Sequence, residues 1–230
     1  MATQQMAIAN IERVDIITEE PTPRVFSFDT ASDASAEAQI SAGAGTELRI
    51  KNRILAQNIT EDIVKGFNIN LTDSVFSPEV FALVDGGAST VSGEDFKKYT
   101  APTAGEVVSR TKCSLAVYAS EKDYDGNALS YTAFIFPHAS GSPTSVSLKD
   151  GEFYAPSYTI KSRPSKGSSP VTIINLPSLP VIVKAAGDLP ESPVSGKTVV
   201  LVAASGVSGL PDTLAAGDFA LYNGTAYAKI

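Results

Sequence analysis

Apolar and polar residues alternate along Ile63–Thr72, and Phe67, Ile69 and Leu71 fall on one face of an extended segment. Polar residues occupy most of the positions between them. Alternation with a period of two is typical of a β-strand that buries one face. We therefore predict a strand over this stretch, with its apolar face against a core.

A short helix is predicted after this strand, from Ser77 to Asp85. Ser77 is a favourable N-cap, and Pro78 suits the first helical position because its missing N–H would have no partner there. Phe81 and Val84 belong to an apolar stripe. Two glycines follow Asp85, and glycine readily adopts the left-handed conformation that ends a helix. We expect these residues to be structural and the helix to pack on the sheet through its apolar stripe.

The densest β signal lies in the middle of the chain. The segments Glu106–Ser120 and Leu129–Ala139 flank Asp125-Gly126, a pair favoured in two-residue hairpin turns because both positions need positive φ. Leu129–Ala139 is apolar on both faces, so we expect one face to pack on the core and the other on a helix or a neighbouring subunit. Gly151–Lys161 predicts a further strand, interrupted by Pro156.

Three earlier segments have weaker patterns. The Ala- and Ser-rich segment Asp29–Ala44 suits a weak helix or an extended arm. Thr46–Gln57 is predicted as a strand in which Asn52 marks a bend or bulge. Its inward-facing residues would be Leu48, Ile50 and Ile54. Gly86–Gly105 is rich in Gly, Ser, Thr and Lys and predicts a long surface loop or flap, and loops of this length are usually functional or disordered.

The composition changes near Ser162, where polar, Pro-rich segments begin to alternate with short apolar ones. The C-terminal part of the chain predicts a strand within Thr198–Ala204 and a hairpin with Asn223-Gly224 at its tip. We place a domain boundary between residues 186 and 187. The predicted fold is mainly β, an antiparallel β-sandwich or half-barrel with one short packed α-helix over residues 1–186. A small C-terminal β module follows over residues 187–230.

Charge and cysteine content narrow the class of protein. The 230 residues carry a formal net charge of −7, which argues against a protein that coats DNA but not against a conduit for it. Cys113 is the single cysteine, which excludes an intrachain disulfide and a cysteine-based zinc site. The N-terminus lacks the features of a secretion signal, and no stretch approaches the roughly 20 apolar residues of a membrane span. We expect a soluble protein made in a reducing cytosol.

Two turns carry partial matches to ligand-binding motifs. Ser195-Gly196-Lys197-Thr198 resembles the end of a phosphate-binding loop. The full motif needs glycine where this chain has Glu191, and it must open a helix, whereas a strand is predicted next. Asp123–Asn127 suggests a calcium loop, but strands flank it and the later ligand positions are missing. We expect neither a nucleotide nor calcium to bind at these turns.

The residues that most often carry enzyme chemistry are scarce. His138 is the single histidine and has no second histidine with which to hold a metal ion. Cys113 lies inside a β-rich stretch, where a thiol is usually buried and unreactive. No nucleophile-elbow pattern occurs among the serines. We expect no enzymatic activity, no catalytic residues, no cofactor and no metal site.

Cations cluster along the early strands. Arg49, Lys51 and Arg53 recur at every second residue, so an unbroken strand would place them on one face. Such a face is either solvated or a subunit interface that meets acidic residues of a neighbouring copy. The candidate inter-subunit residues are Arg49, Lys51, Arg53, Lys65, Glu94 and Asp95, with Glu61, Asp62 and Asp73 as further acidic candidates.

The stretch Ile63–Gly87, with its strand, its Ser-Pro helix start and its double-glycine stop, resembles one element of a known family. It is similar to the central strand–helix element of major tail proteins of long-tailed bacteriophages, which are the tail tube subunits. The C-terminal residues, with a Pro, Gly-Asp, Tyr-Asn-Gly and Tyr pattern, resemble small modules appended to phage virion proteins.

The first resemblance implies a self-associating subunit. Copies would join into hexameric rings around a continuous β-barrel, and the rings would stack into a tube. The protein would be made in the host bacterial cytoplasm and reside in the virion tail. It would contact other tail proteins, and DNA would pass through the lumen without specific binding. Gly86–Gly105 and Met1–Thr30 are the expected bridges between rings, and the C-terminal module would decorate the outside.

The sequence leaves two other classes of non-enzymatic protein open. A capsid decoration protein or other virion adhesion protein is also β-rich, but it would bind a preformed shell and need not polymerise alone. A bacterial carbohydrate- or surface-binding β module is the second class. Such modules usually stack sugars on exposed aromatic rings, and this chain has no tryptophan.

Overall fold

The computed structural model describes residues 5–92 and 95–230 of the chain. Strands make up 49% and helices 5% of it, which confirms the prediction of a mainly β, antiparallel fold with one short α-helix. The first strands are β1 (Ile8–Thr18), β2 (Val25–Phe28), β3 (Ala31–Ser41), β4 (Gly45–Ile50), β5 (Arg53–Ile59) and β6 (Ile63–Asp73). Helix α1 (Pro78–Asp85) follows, and then β7 (Ala88–Ser92) and β8 (Asp95–Thr100).

The second half of the chain is also built of strands. They are β9 (Cys113–Lys122), β10 (Ala128–Gly141), β11 (Ser157–Ser162), β12 (Thr172–Leu176), β13 (Val181–Val183), β14 (Val199–Val202), β15 (Phe219–Tyr222) and β16 (Tyr227–Lys229). A single 3-10 turn lies at Ala186–Asp188 among the residues described. No helix in these ranges is long and apolar enough to cross a membrane.

Eight strands form the main sheet in the order β2-β1-β9-β10-β11-β6-β3, with β12 paired to β10. All of these pairings are antiparallel. The long strand β10 pairs with β9 along one side. Along its other side it pairs first with β12, through Tyr131–Ile135, and then with β11, through Ala139–Gly141.

Strand β9 is buried on both of its faces because side chains alternate along a strand. Leu115 and Val117 lie in a core that also contains residues of α1, β1, β6 and β11. Ala116 and Tyr118 lie in a second core on the opposite face, together with Leu201 of β14. The main sheet is therefore the middle layer of the molecule over this strand.

Strand β10 is also covered on both faces, as its sequence predicted. Phe136 lies in the first core and Ala133 in the second. The second face is covered by the chain's own C-terminal sheet, through residues such as Leu201 and Phe219, rather than by a helix or a neighbouring subunit.

The C-terminal sheet has the order β13-β14-β15-β16. Its first pair, β13 and β14, is parallel, and the others are antiparallel. Val199 and Leu201 face the main sheet, while Val200 and Val202 lie in a third core with residues of the following loop. The sheet begins at Val181, so its first strand lies on the N-terminal side of the boundary placed between residues 186 and 187.

Two segments without a predicted strand contain strands. Asp29–Ala44 contains β3, which pairs with β6 from Ala31 to Ser41, so the weak-helix alternative is wrong. Gly86–Gly105 contains the hairpin β7–β8, so of the predicted loop or flap the flap is the better description. Strand β3 is held by a partner distant in sequence and the β7–β8 hairpin by packing on the body, and none of the three strands has a strong apolar alternation of its own.

Helix α1 confirms the local signals read from the sequence. Ser77 has the extended conformation of an N-cap, with φ −103° and ψ 110°, although its hydroxyl makes no capping bond, and Pro78 opens the helix. Gly86 is left-handed at φ 84°, and its amide donates to the carbonyl of Ala82.

Candidate assembly surface

An exposed two-stranded ribbon, the arm, extends the β3–β6 pair beyond the main sheet. The arm is residues 45–59, comprising β4, a turn and β5, and every one of its strand residues is exposed. Its base is fixed to the body because the amide of Thr60 donates to the carbonyl of Ala44 at 3.0 Å. No other strand of the described residues pairs with either edge. Both edges and both faces of the arm are therefore open.

One face of the arm carries aliphatic side chains towards its tip, beyond the polar pair of Thr46 and Asn58 at its base. Leu48 stands opposite Ala56, and Ile50 stands opposite Arg53. Directly opposed residues of an antiparallel pair lie on the same side, and the side alternates along each strand except at the register shift between Leu48 and Arg49. Leu48 and Ile50 are 56% and 51% exposed. This side, called the Leu48 face below, carries aliphatic side chains and ends in the guanidinium of Arg53.

The opposite face of the arm is mixed. Glu47 stands opposite Gln57, and Arg49 stands opposite Ile54. The Arg49 Nε donates to the carboxylate of Glu47 at 2.6 Å. Ile59 lies on this side at the base, opposite a glycine. The cation of this face is therefore paired within its own chain, while its aliphatic side chains are exposed.

Exposed aliphatic side chains continue from the arm into the adjoining ends of β3 and β6. They are Ile40, Leu48, Ile50, Ile54, Leu55, Ile59, Ile63 and Val64. A long exposed strand edge with apolar side chains is either a partner surface or an aggregation hazard, and natural proteins generally shield such edges. The arm and its base form the largest run of such residues along the described chain.

The prediction of a single strand over Thr46–Gln57 is wrong, because the segment forms the two strands β4 and β5. The expected face shared by Arg49, Lys51 and Arg53 is therefore absent. Lys51 has a φ of 52°, and the chain reverses at this point. Arg49 and Arg53 consequently lie on opposite faces, with Lys51 at the tip. Leu48, Ile50 and Ile54 face solvent rather than inward. The irregularity expected at Asn52 is a full reversal of the chain, which was not predicted because Lys51-Asn52 lacks the glycine that usually marks a two-residue hairpin.

The other predicted inter-subunit residues are scattered. Lys65 and Glu61 are exposed near the base of the arm. Asp62 accepts the amide of Gly43 at 2.7 Å, so it stabilises the base of the arm within the chain. Asp73 is 1% exposed and accepts the hydroxyl of Thr30 at 2.5 Å, so it has no surface to offer a second copy.

Of the remaining acidic candidates, Asp95 begins strand β8. Asp95 is exposed and forms an ion pair with Lys97 at 3.0 Å. Glu94 lies outside the described residues. The structure thus does not bring the predicted cations and carboxylates together within one chain.

The helix residues predicted to be structural lie in the first core. Phe81 is 5% exposed and Val84 is 2% exposed. The Phe81 ring packs edge-on against Tyr99, with ring centroids 4.9 Å apart, and against Phe76 at 5.5 Å. The hairpin β7–β8 is therefore held to the body partly through the ring of Phe81.

Asp85, at the end of α1, joins three parts of the chain, and nothing in the sequence pattern marked it. Its carboxylate accepts the hydroxyl of Tyr99 and the amide of Thr144, the latter at 2.9 Å. Burial alone would raise the pKa of Asp85, but these hydrogen bonds outweigh it and hold the pKa below its ordinary value. Burial and the bond to Asp85 raise the pKa of Tyr99. Arg110 caps the helix end by donating to the carbonyls of Val84 and Asp85.

A second group of exposed apolar side chains lies on the long connection between β10 and β11. Phe153 is fully exposed, and Leu148 and Val146 are 73% and 61% exposed. The predicted strand over Gly151–Lys161 included the end of this connection, but the observed strand β11 begins only at Ser157, so that prediction is wrong for residues 151–156. The signal available was its length, because connections longer than about 12 residues in compact domains are usually functional or disordered.

The single histidine and cysteine lie near each other in sheet register but have different surroundings. His138 is a positive-φ residue in β10, and Glu19 accepts both its backbone amide, at 3.0 Å, and its ring Nδ1, at 2.6 Å. Cys113 is buried, and burial together with the charge of Glu19 raises the pKa of its thiol to about 12. The thiol is therefore protonated and enclosed, as predicted from its strand position.

The turns with partial motifs are hairpin and strand connections. Asp123–Asn127 closes the β9–β10 hairpin, where the carboxylate of Asp123 accepts the amide of Asn127 at 2.7 Å. Ser195–Thr198 leads into strand β14, as predicted, and not into a helix.

Comparisons with known proteins do not assign this chain to a family. No protein-family model matches the chain, and no curated protein matches it. Among solved structures, it is similar to a chain in the cryo-EM structure of the anti-feeding prophage baseplate, 6-fold symmetrised. The two share 16% sequence identity with a TM-score of 0.36, over 76% of this chain and 97% of the other. A TM-score of this size assigns neither a fold family nor a function.

Proposed function

We propose that this chain is a non-enzymatic structural subunit that assembles with copies of itself into the stacked, hexameric rings of a phage tail tube. DNA would pass through the lumen without specific binding, and other tail proteins would meet the ends of the tube. The proposal joins the resemblance of Ile63–Gly87 to major tail proteins with the geometry of the arm.

The observation that carries the proposal is the arm. A ribbon with open edges and exposed aliphatic side chains loses favourable burial as long as it stays in water, at roughly 25 cal/mol for each Å² of apolar surface left exposed. Its exposed backbone edges are also ready to pair with another strand. Both features favour an arm that is covered in the working state of the protein.

The charge distribution favours a second copy as the covering partner. The arm carries three cations and one carboxylate, for a net charge of +2. Since the whole chain carries −7, the remainder carries −9. Opposite charge on the arm and on the body assists their association in neighbouring copies.

Electron microscopy of the purified protein tests the proposal. We expect rings or hollow tubes of regular width from the full chain at micromolar concentration. Monodisperse monomers or trimers at all concentrations would contradict the proposal and favour a capsid decoration or virion adhesion protein instead.

A variant without the arm provides the matched test. Replacing residues 45–59 by Asn-Gly would close a two-residue turn on the existing pair of Ala44 and Thr60. We expect this variant to keep its far-ultraviolet circular dichroism and cooperative unfolding but to sediment as a single subunit. As a control, Leu129→Ser removes an exposed aliphatic side chain far from the arm in the sequence and should leave assembly unchanged.

A further inference from the structure

An apolar cleft opens between β3 and the paired strands β1, β9 and β10. Its volume is about 250 Å³. Its lining includes Ile11, Ala36, Val117, Ala119, Phe134 and Phe136. A cavity of roughly 150 Å³ lined by such side chains holds a benzene ring, so this cleft has room for one or two branched aliphatic side chains.

The cleft is open because β3 contributes only small side chains to it. Ala34, Ser35 and Ala36 stand where larger residues would cover the half-buried ring of Phe134, whereas Phe136 is 4% exposed and packs on Phe67. The gap leaves the ring of Phe134 without full packing partners on that side, which costs dispersion energy. Filling it with an aliphatic side chain would therefore be favourable.

A carboxylate follows along β9, beyond the residues that line the cleft. Glu121 follows Ala119 by two residues on β9, so both lie on the same face of that strand. Glu121 is half-buried and accepts the hydroxyl of Ser130 at 2.6 Å. The cleft thus presents an apolar floor followed, one strand repeat later, by a negative charge.

The Leu48 face of the arm has the complementary order. Leu48 comes first, and two residues further along the ribbon stands the pair formed by Ile50 and Arg53. The step from the aliphatic residue to the cation is therefore one strand repeat, the same as the step from Ala119 to Glu121 in the cleft.

The arm does not occupy the cleft of its own chain, because every strand residue of the arm is exposed. Ala36, at the cleft, and Leu48, on the arm, are twelve residues apart along a largely paired ribbon. At about 3.3 Å per residue, the extended chain between them spans at most roughly 40 Å. The occupant must then come from another molecule, and the positive arm meeting the negative body points to a second copy of this chain.

We propose that the Leu48 face of one copy docks in this cleft of a second copy, with Leu48 and Ile50 against the phenylalanine floor and Arg53 paired with Glu121. This inference rests on the proposed self-assembly and names the surface that receives the arm. It assigns a purpose to the small residues of β3, which leave the cleft open.

Charge reversal tests the pairing. Arg53→Glu and Glu121→Arg should each raise the concentration needed for assembly by about tenfold or more, the scale expected when a close interfacial charge pair is broken. The double variant should return to within about threefold of the unaltered protein. Arg49→Glu is the matched control, because it makes the same change in charge on the opposite face of the arm and should leave the assembly concentration within about threefold.

A blocked cleft tests the apolar contact separately. Ala36→Phe places a large ring at the exposed mouth and removes nothing from the core, so the unfolding midpoint should stay the same or rise while assembly is lost. Leu48→Ser on the arm should have the same effect on assembly.

The outcomes separate this inference from the proposed function. If Leu48→Ser prevents assembly while Ala36→Phe and Glu121→Arg do not, the arm docks elsewhere, and the inference is overturned although self-assembly stands. Failure of charge reversal to rescue the single variants likewise overturns the pairing. If the unaltered chain never assembles, the proposed function and this inference both fall.

Discussion

Tyr99 donates its phenolic hydrogen to the carboxylate of Asp85, and this bond ties the β7–β8 hairpin to the C-terminal end of α1. The same carboxylate accepts the amide of Thr144 on the connection between β10 and β11. One acidic side chain therefore fixes two surface segments that have no pairing with the main sheet. Their positions should depend on its charge.

Removing the Tyr99 hydroxyl should lower stability. Tyr99→Phe leaves the ring packed on Phe81 but deprives the partly enclosed Asp85 of one charge-assisted hydrogen bond. We expect a loss of about 1.5–3 kcal/mol in the free energy of unfolding, measured by urea denaturation. Tyr124→Phe, at a fully exposed ring, is the control and should change stability little. Equal stability of the two variants would show that the bond contributes nothing.

Stability should fall in acid partly through Asp85. Its pKa is lower in the folded protein than in the unfolded chain, so its charge contributes stability above the unfolded pKa of about 3.9. That contribution is lost as the pH falls through the folded pKa. Asp85→Asn should therefore show a smaller loss of unfolding free energy between pH 4 and lower pH than the unaltered protein. Asp212→Asn, at an exposed loop residue, should keep the original slope.

The helix should be structural. Phe81→Ala removes a buried ring that contacts Phe76, Tyr99 and Tyr158. We expect a loss of about 3–5 kcal/mol in the free energy of unfolding. Lys197→Ala, in the exposed turn before β14, should alter neither stability nor nucleotide binding. A harmless Phe81→Ala together with a nucleotide-dependent activity lost in Lys197→Ala would reverse the assignment from scaffold to enzyme.

A chain that ends at Ala186 should not fold into a soluble body. It lacks β14 and β15, whose Leu201 and Phe219 share the second core with Ile17 and Tyr118. Truncation would expose this apolar face, and we expect aggregation in size-exclusion chromatography. The milder variant Leu201→Ala should remain folded and lose about 2–5 kcal/mol of stability. A soluble, cooperatively unfolding truncated chain would show instead that residues 187–230 form an independent module.

The parts of the fold that were predicted from sequence are those specified by local signals. The helix start at Ser77-Pro78 and its stop at Gly86 each depend on a few neighbouring residues. The two hairpins were placed correctly by Asp125-Gly126 and Asn223-Gly224, but the predicted turn type is wrong, because only the glycines have positive φ. Strand β3 has no such signal, because its Ala and Ser residues become a strand only through pairing with β6. Tertiary context decides such segments.

The candidate surface was harder to predict because its geometry depends on one turn. The residues Arg49, Lys51 and Arg53 were correctly seen as a cluster, but their distribution over two faces follows from the reversal at Lys51. The cleft was invisible in the sequence, since its walls come from β1, β3, β9 and β10, which meet only in the folded chain. Small residues on β3 become informative once their neighbours are known.

The second core has a consequence for the timing of folding during synthesis. Ile17 leaves the ribosome about two hundred residues before its core neighbour Phe219. At roughly 5–20 residues per second, the gap lasts about ten seconds or more, during which the apolar outer face of the main sheet has no cover. A prematurely terminated product would keep this face uncovered and become a target for chaperones and proteases. The second core can therefore close only after Phe219 has emerged, so the C-terminal sheet sets the earliest moment at which this face of the main sheet is covered.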